Sequence, residues 1–229
     1  MAAAFTLYVE PFYFSPYVFS SFVALREKKV AFDLVEVSLV DGAHHQSSYA
    51  DAAVTGRVPS LEHDGFRLAE SSAIAEYLEE LLPPPAHARL FPELPHDRAR
   101  ARQLMAWMRS DLGGLREDRP TSSMFYRFKD IPWSEQGKRD VERLLRVADQ
   151  LVAPEGGPIF GAWSLVDAEF AFMLHRLLLN GEPVPTRVAA YAREQWARPS
   201  VQEFVRHGRP KECARAYWPH DIAESIHPA

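Results

Sequence analysis

Five prolines fall between Pro83 and Pro95, and the hydrophobic period changes across them. Before them, short apolar runs alternate with helical spacing; after them the spacing is helical throughout. Proline lacks a backbone N–H and clashes with the preceding turn, so Pro83-Pro84-Pro85 ends any helix arriving from the N-terminal side. A chain of 229 residues with such a break reads as two domains, each long enough for its own core. The expected boundaries are 1–82 for the first domain, 83–96 for the linker, 97–208 for an all-helical domain and 209–229 for a surface tail.

In the first part, Phe5–Val9 has the composition of a strand. Ser15-Pro16 is a helix start, with Ser suited to the N-cap and Pro to the first helical position. Val18, Phe22 and Leu25 continue it at helical spacing, and Phe32–Val37 predicts a second, parallel strand. The connector from Asp41 to Ala53 is polar and weakly patterned, either a short helix or irregular. Pro59–His63 and Phe66–Leu68 flank Asp64-Gly65, a hairpin signal. Ile74, Tyr77, Leu78 and Leu81 then mark an amphipathic helix. A mixed four-stranded sheet with helices packed on it satisfies this order.

In the second part, Ala101, Leu104, Met105, Met108, Leu112 and Leu115 predict one long helix. Val141, Leu144, Leu145, Ala148, Leu151 and Val152 predict another. Leu165 to Leu179 is apolar almost all round, as a central buried helix must be. Val184–Trp196 and Ser200–Arg206 predict two more, and no strand signal stands out in this half. Tyr217 and Trp218 are candidate anchors for the tail.

The net charge of −5 gives no electrostatic reason to expect nucleic acid or an anionic membrane as partner. Arginines cluster from Arg98 to Arg119, but Asp97, Asp111, Glu117 and Asp118 lie among them, as on a solvated helix face. A single cysteine, Cys213, cannot form an internal disulfide, which suits a reducing compartment. Met1 to Val9 lacks the basic start of a signal peptide, and no apolar run approaches the ~18 residues of a membrane span. A cytoplasmic location is the expectation. His44-His45 lacks a third ligand at metal spacing, so no metal site is expected.

Four segments carry a family resemblance: Phe14-Ser15-Pro16-Tyr17, Arg57-Val58-Pro59, Leu68 to Leu78 with Glu70-Ser71 near its start, and Phe160 to Asp167. In this order and spacing the chain resembles the cytosolic glutathione transferases to about residue 207. It is most similar to the bacterial stress-associated branch with a serine at the first helix, which Arg98 to Gln103, Arg109 to Leu112 and Arg119-Pro120-Thr121 also resemble. The resemblance implies an α/β thioredoxin-like N-terminal domain followed by an all-α C-terminal bundle. It implies glutathione as co-substrate, a two-fold homodimer, and addition of the glutathione thiolate to electrophilic small molecules or reduction of organic hydroperoxides. Two alternatives stay open: a non-catalytic glutathione- or protein-binding module, and a glutathione-dependent isomerase.

A thiolate is the nucleophile, and a free thiol of pKa ~8.5 is only a few per cent ionised at neutral pH. Ser15 sits where a hydroxyl and a helix N-terminus are both available to stabilise the sulfur anion. Ser15 can donate to that sulfur or simply cap its helix; Tyr13, Tyr17 and Ser20 are nearby alternative hydroxyls. By the resemblance, Val58-Pro59 is a cis bond that offers the Val58 backbone to the cysteinyl unit. Glu70 and Ser71 hold the γ-glutamyl group, and His45, Gln46 or Arg57 meets the glycyl carboxylate. Asp111 reaches a γ-glutamyl group across the dimer. Trp107, Met108, Phe125, Tyr126 and Phe128 are candidates for the second-substrate pocket. Ser164 and Asp167 form an S-x-x-D helix cap with a structural role.

Overall fold

The computed structural model describes residues 4–128, 131–209 and 222–225. Two units emerge from it: one runs to Leu90 and includes His207–Arg209, and the other runs from Phe91 to Arg206 and includes Ile222–Ser225.

The first unit is built on β1 (Phe5–Val9), whose alternate side chains Phe5, Leu7 and Val9 are buried. Helix α1 (Pro16–Lys28) follows, capped by Ser15, and then β2 (Phe32–Glu36), parallel to β1. The connector forms a 3-10 turn (Ala43–His45) and α2 (Ser47–Ala53), so its weak pattern hid a short helix. Tyr49 and Ala53 are the two residues of α2 that reach a core, against Val37 and Ala69. The hairpin β3 (Ser60–His63) and β4 (Phe66–Ala69) turns at Asp64-Gly65 with both residues at positive φ, as a tight two-residue turn demands. Helix α3 (Ser71–Leu81) ends the unit's regular structure. The sheet order β2-β1-β3-β4, parallel then antiparallel, is the thioredoxin-like arrangement. Lys28 is fully buried; its ammonium reaches Glu79 at 2.6 Å and the Leu82 carbonyl at 2.8 Å, tying the end of α1 to the end of α3.

The second unit is mostly helical: α4 (Pro95–Ser110), α5 (Gly113–Asp118), α6 (Glu135–Leu151), α7 (Leu165–Leu178), α8 (Thr186–Trp196) and α9 (Pro199–Val205). Helix α7 is the buried one, as its composition requires. Two sequence expectations are corrected here. The long helix through Leu115 is broken, because Leu112 takes a left-handed conformation and α5 starts afresh. The buried Asp140 carboxylate of α6 receives the N–H groups of Gly114 and Leu115 at 2.9 and 3.3 Å, so α5 is capped from another helix. Gly114 and Gly137 let α5 and α6 approach so closely that a Cβ on either would overlap its neighbour. The second correction is a small antiparallel ribbon, β5 (Tyr126–Phe128) with β6 (Ile222–Ser225), where no strand was expected. Cys213, Tyr217 and Trp218 lie outside the described residues. No helix among the described residues is long and apolar enough to cross a membrane.

Candidate active site

Strand register decides which loops meet. Tyr8 pairs with Ser60 across β1 and β3, and Ser60 pairs with Ala69 across β3 and β4. Just beyond these positions lie the exit of β1 (residues 10–15), the entry to β3 (Val58-Pro59) and the exit of β4 (Glu70-Ser71). Neighbouring strands are ~4.8 Å apart, so the three segments gather at one end of the sheet.

Ser15 is half-buried at the start of α1. Its Oγ accepts from the N–H groups of Tyr17 at 3.3 Å and Val18 at 3.2 Å. A hydroxyl that accepts twice still keeps its own hydrogen to donate, and accepting polarises that O–H further. Capping and donation are therefore compatible at Ser15, although the sequence presents them as rivals. The other hydroxyls are placed differently. Ser20 is fully buried, and Tyr13 is buried with its ring stacked on His207 at 3.9 Å. Burial, with the charges of Glu36 and Glu10, pushes the Tyr13 phenol up.

A residue the sequence did not single out organises this loop. Glu10 directly follows β1 and is 3% exposed. Its carboxylate accepts from the N–H groups of Phe12 at 2.7 Å, Phe14 at 2.6 Å and Ser15 at 2.9 Å. Burial raises its pKa, opposed by those three N–H groups and by the nearby Arg209 charge. The Arg209 guanidinium donates to the Tyr13 carbonyl at 3.2 and 3.0 Å.

At the second segment the Val58–Pro59 bond is cis. Val58 is half-buried and Arg57 exposed. The Tyr49 hydroxyl holds both sides of the bond, 2.9 Å from the Arg57 carbonyl and 3.0 Å from Ser60 Oγ. Burial raises the Tyr49 pKa, so the phenol stays protonated. Tyr49 is a further supporting residue that the polar connector concealed.

At the third segment Glu70 is exposed, with φ 71° and ψ 112°. A non-glycine residue held at positive φ costs on the order of 1–3 kcal/mol, and such strain clusters at ligand sites. Ser71 is buried at the first turn of α3, where helix N–H groups favour an anion.

His45 and Gln46 are exposed on the connector. The His44 and His45 rings lie 3.7 Å apart, and burial, His45 and Arg57 lower the His44 pKa. Among the described residues no group of three or more His, Cys, Asp or Glu side chains is placed to hold a metal.

The remaining candidates belong to the second unit. Met108, Phe125 and Tyr126 are buried. Trp107 is half-buried, with the Arg143 guanidinium 6.0 Å from its ring. Phe128 lies in β5. Asp111 caps the end of α4 and pairs with Arg143 of its own chain at 2.8 Å. Its hydrogen bonds from Arg143 and Ser110 hold its carboxyl below the usual range. Ser164 and Asp167 form the expected helix cap, with Asp167 fully buried.

Comparison with known proteins places names beside this geometry. Residues 14–81 match the family model "Glutathione S-transferase, N-terminal domain" and residues 95–208 match "Glutathione S-transferase, C-terminal domain". Glutathione S-transferase U16 of Arabidopsis thaliana is 30% identical over 170 residues, covering 73% of this chain and 69% of the relative. Probable maleylacetoacetate isomerase 1 of Drosophila melanogaster is 40% identical over 86 residues, covering 36% of this chain and 34% of the relative. The chain thus spans about a third of that curated relative's length. Among solved structures, a glutathione transferase homolog from Burkholderia GL BGR1, with bound glutathione, is 42% identical with a TM-score of 0.74. That match covers 88% of this chain and 96% of the other.

Proposed function

The chain belongs to the glutathione S-transferase family, and from that premise we propose that it activates glutathione for attack on electrophilic small molecules. The observation that carries this is the convergence of three segments at one end of the sheet, with an N-cap hydroxyl among them that still has a hydrogen to donate. Ser15 Oγ–H donates to the glutathione sulfur. The Val58 backbone pairs with the cysteinyl unit as an added strand would. Glu70 accepts from the γ-glutamyl ammonium, and Ser71 at the start of α3 receives its carboxylate. His45, Gln46 and Arg57 are the exposed polar groups available to the glycyl carboxylate. Fixing the tripeptide in this way turns a two-body encounter into a near-unimolecular step.

The energetic demand is modest. Each unit by which the bound thiol's pKa falls requires about 1.36 kcal/mol of preferential interaction with the thiolate. A charge-assisted hydrogen bond of about 1.5–3 kcal/mol supplies one or two such units. Organic hydroperoxides are a second class of acceptor for the same thiolate. We assign the chain to the serine-dependent, stress-associated bacterial branch, acting in the cytoplasm as a homodimer. Isomerisation is a second reading, favoured by the isomerases among the relatives. There the thiolate adds to a conjugated double bond to give an enolate, the single bond so formed rotates, and elimination re-forms the double bond and returns the thiolate.

Ser15→Ala tests the reading. Thiolate absorbance of the bound glutathione, followed against pH, should show the thiol's pKa raised by about 1–2 units. The kcat with an aryl halide acceptor should fall about 10- to 100-fold, while glutathione affinity changes little. Full activity and an unmoved pKa in this variant would remove Ser15 from the chemistry.

A further inference from the structure

The loop from Pro11 to Ser15 joins the central strand to α1, and its backbone N–H groups all donate to one residue. Pro11 and Pro16 have no backbone N–H. The four N–H groups between them belong to Phe12, Tyr13, Phe14 and Ser15. Three donate to the Glu10 carboxylate, and that of Tyr13 donates to the Glu10 carbonyl at 3.4 Å. A buried loop must account for each of its backbone donors, and here a single residue accounts for all four. The far end of the segment is held by α1, where the Phe19 N–H donates to the Ser15 carbonyl at 3.0 Å, and Tyr13 sits at positive φ within it.

We propose that Glu10 is a positioning residue for thiolate formation, holding the loop so that Ser15 Oγ faces the glutathione sulfur. The Ser15 N–H is pinned at 2.9 Å by the carboxylate while Ser15 Oγ is pinned by two N–H groups of α1. With both its backbone and its side chain fixed, the hydroxyl's remaining direction is set. A clasp also holds the loop, where Arg209 donates to the Tyr13 carbonyl and His207 stacks on the Tyr13 ring.

Charge and geometry give opposite signs, which makes the role separable. A negative charge beside a forming thiolate disfavours it. If Glu10 acted through its charge, neutralising it would lower the pKa of the bound thiol. If it acts by holding the loop, neutralising it raises that pKa. A glutamine at position 10 has one acceptor oxygen, and its NH2 group brings donors toward N–H groups that need acceptors. At least one of the loop's three N–H groups is then left without its partner.

The inference rests on the reading of Ser15 given above, so both are measured together. Bound-thiol pKa is followed by thiolate absorbance in the wild type, Glu10→Gln, Glu10→Asp, Ser15→Ala and the double variant Glu10→Gln/Ser15→Ala. Glu10→Gln should raise the pKa by about one unit, roughly a tenfold loss of thiolate well below that pKa, and lower kcat more than it changes KM for glutathione. Glu10→Asp keeps the charge but withdraws the carboxylate by one methylene, so it should shift the pKa in the same direction. It carries the test alone if the glutamine variant does not fold. Adding Glu10→Gln to Ser15→Ala should produce no further shift, since the positioned group is already gone. A lowered pKa in Glu10→Gln, no shift in either Glu10 variant, or full additivity in the double variant overturns the positioning role. If Ser15→Ala itself leaves the pKa unmoved, the fault lies in the Ser15 reading; if only the Glu10 variants leave it unmoved, Glu10 alone is misassigned.

Discussion

Each unit of this molecule contains a buried carboxylate that organises the approach to a serine-capped helix, and the two sites end differently. Asp167 in α7 accepts from the Ile159 N–H at 2.9 Å, the Tyr191 hydroxyl at 3.0 Å, and both the N–H and the hydroxyl of Ser164 at 2.9 and 3.2 Å. The Ser164 hydroxyl hydrogen is used inside the cap, and Ser164 is buried. Glu10 takes only the backbone N–H of Ser15, and Ser15 remains half-buried with its hydroxyl hydrogen unused by the cap. The same pair of residue types closes on the serine hydroxyl in one unit and leaves it outside the carboxylate's reach in the other.

The largest test of this contrast is Asp167→Ala. It leaves four donors without their acceptor, three of them buried and each of those worth about 1–3 kcal/mol when unpaired. Partial relaxation reduces the sum, and the expected loss is about 3–5 kcal/mol, or roughly a 10 °C fall in Tm for a chain of this size. Urea unfolding checks the first figure and a thermal melt the second. In the fraction that stays folded, the pKa of bound glutathione should be unchanged. A loss under about 1 kcal/mol would mean that Asp167 is not the joint its contacts describe.

The two carboxylates also differ in how far they were legible beforehand. Ser164 and Asp167 stand three residues apart at a helix start, a spacing that hydrogen-bond geometry fixes, so the pair could be read from the chain. Ser15-Pro16 was legible for the same local reason, and so was the hairpin at Asp64-Gly65. Glu10 acts across a loop of no regular structure, where no spacing rule applies. Asp140 caps α5 from about 25 positions away, so no local spacing announces the break at Leu112. Tyr49 was hidden in a connector whose other residues are mostly polar, and its role depends on where the Val58–Pro59 turn lands in space. The pairing of β5 with β6 joins strands nearly a hundred positions apart, and a three-residue strand carries too little pattern to be seen alone. Local chemistry was readable; contacts that depend on tertiary placement were not.

A second test uses pH within α7. His175 is 3% exposed, stacked on Trp196 at 4.0 Å, and its Nδ1–H donates to the Ala171 carbonyl at 2.8 Å. Burial chiefly lowers its pKa from the ordinary value near 6.5 to about 4, with the Arg193 charge adding to the effect and the Ala171 bond opposing it. The unfolded chain takes up a proton on this ring below pH ~6.5, while the folded protein does so only near pH 4. The stability that neutral His175 contributes is therefore complete above pH ~6.5 and is lost as pH falls toward 4, by about 3 kcal/mol in all. Asp167 in the same helix works in the opposite sense. Its pKa is raised by burial, so its contribution is complete below the unfolded value of about 3.9 and declines as pH rises through the folded value. Urea midpoints measured from pH 7 to pH 4 should fall more steeply in the wild type than in His175→Phe. Parallel curves for the two proteins would show that His175 does not drive the acid limb.

The smallest energetic effect separates the two serines most cleanly. Removing a helix-capping hydroxyl costs about 1 kcal/mol on average, so Ser15→Ala and Ser164→Ala should have similar, modest costs in urea unfolding. Their chemical consequences should not be similar. Ser164 donates inward to Asp167, and its loss leaves the glutathione site untouched, so the bound thiol should titrate as in the wild type. Ser15 keeps its hydroxyl hydrogen outside the cap, and on the proposed reading its loss should move that titration although the fold is weakened no more. Equal stability costs with unequal thiol pKa values would make the direction of one O–H bond the difference between a joint and an active site. Equal pKa values would mean that the N–H groups at the start of α1, and not the serine hydroxyl, hold the sulfur anion.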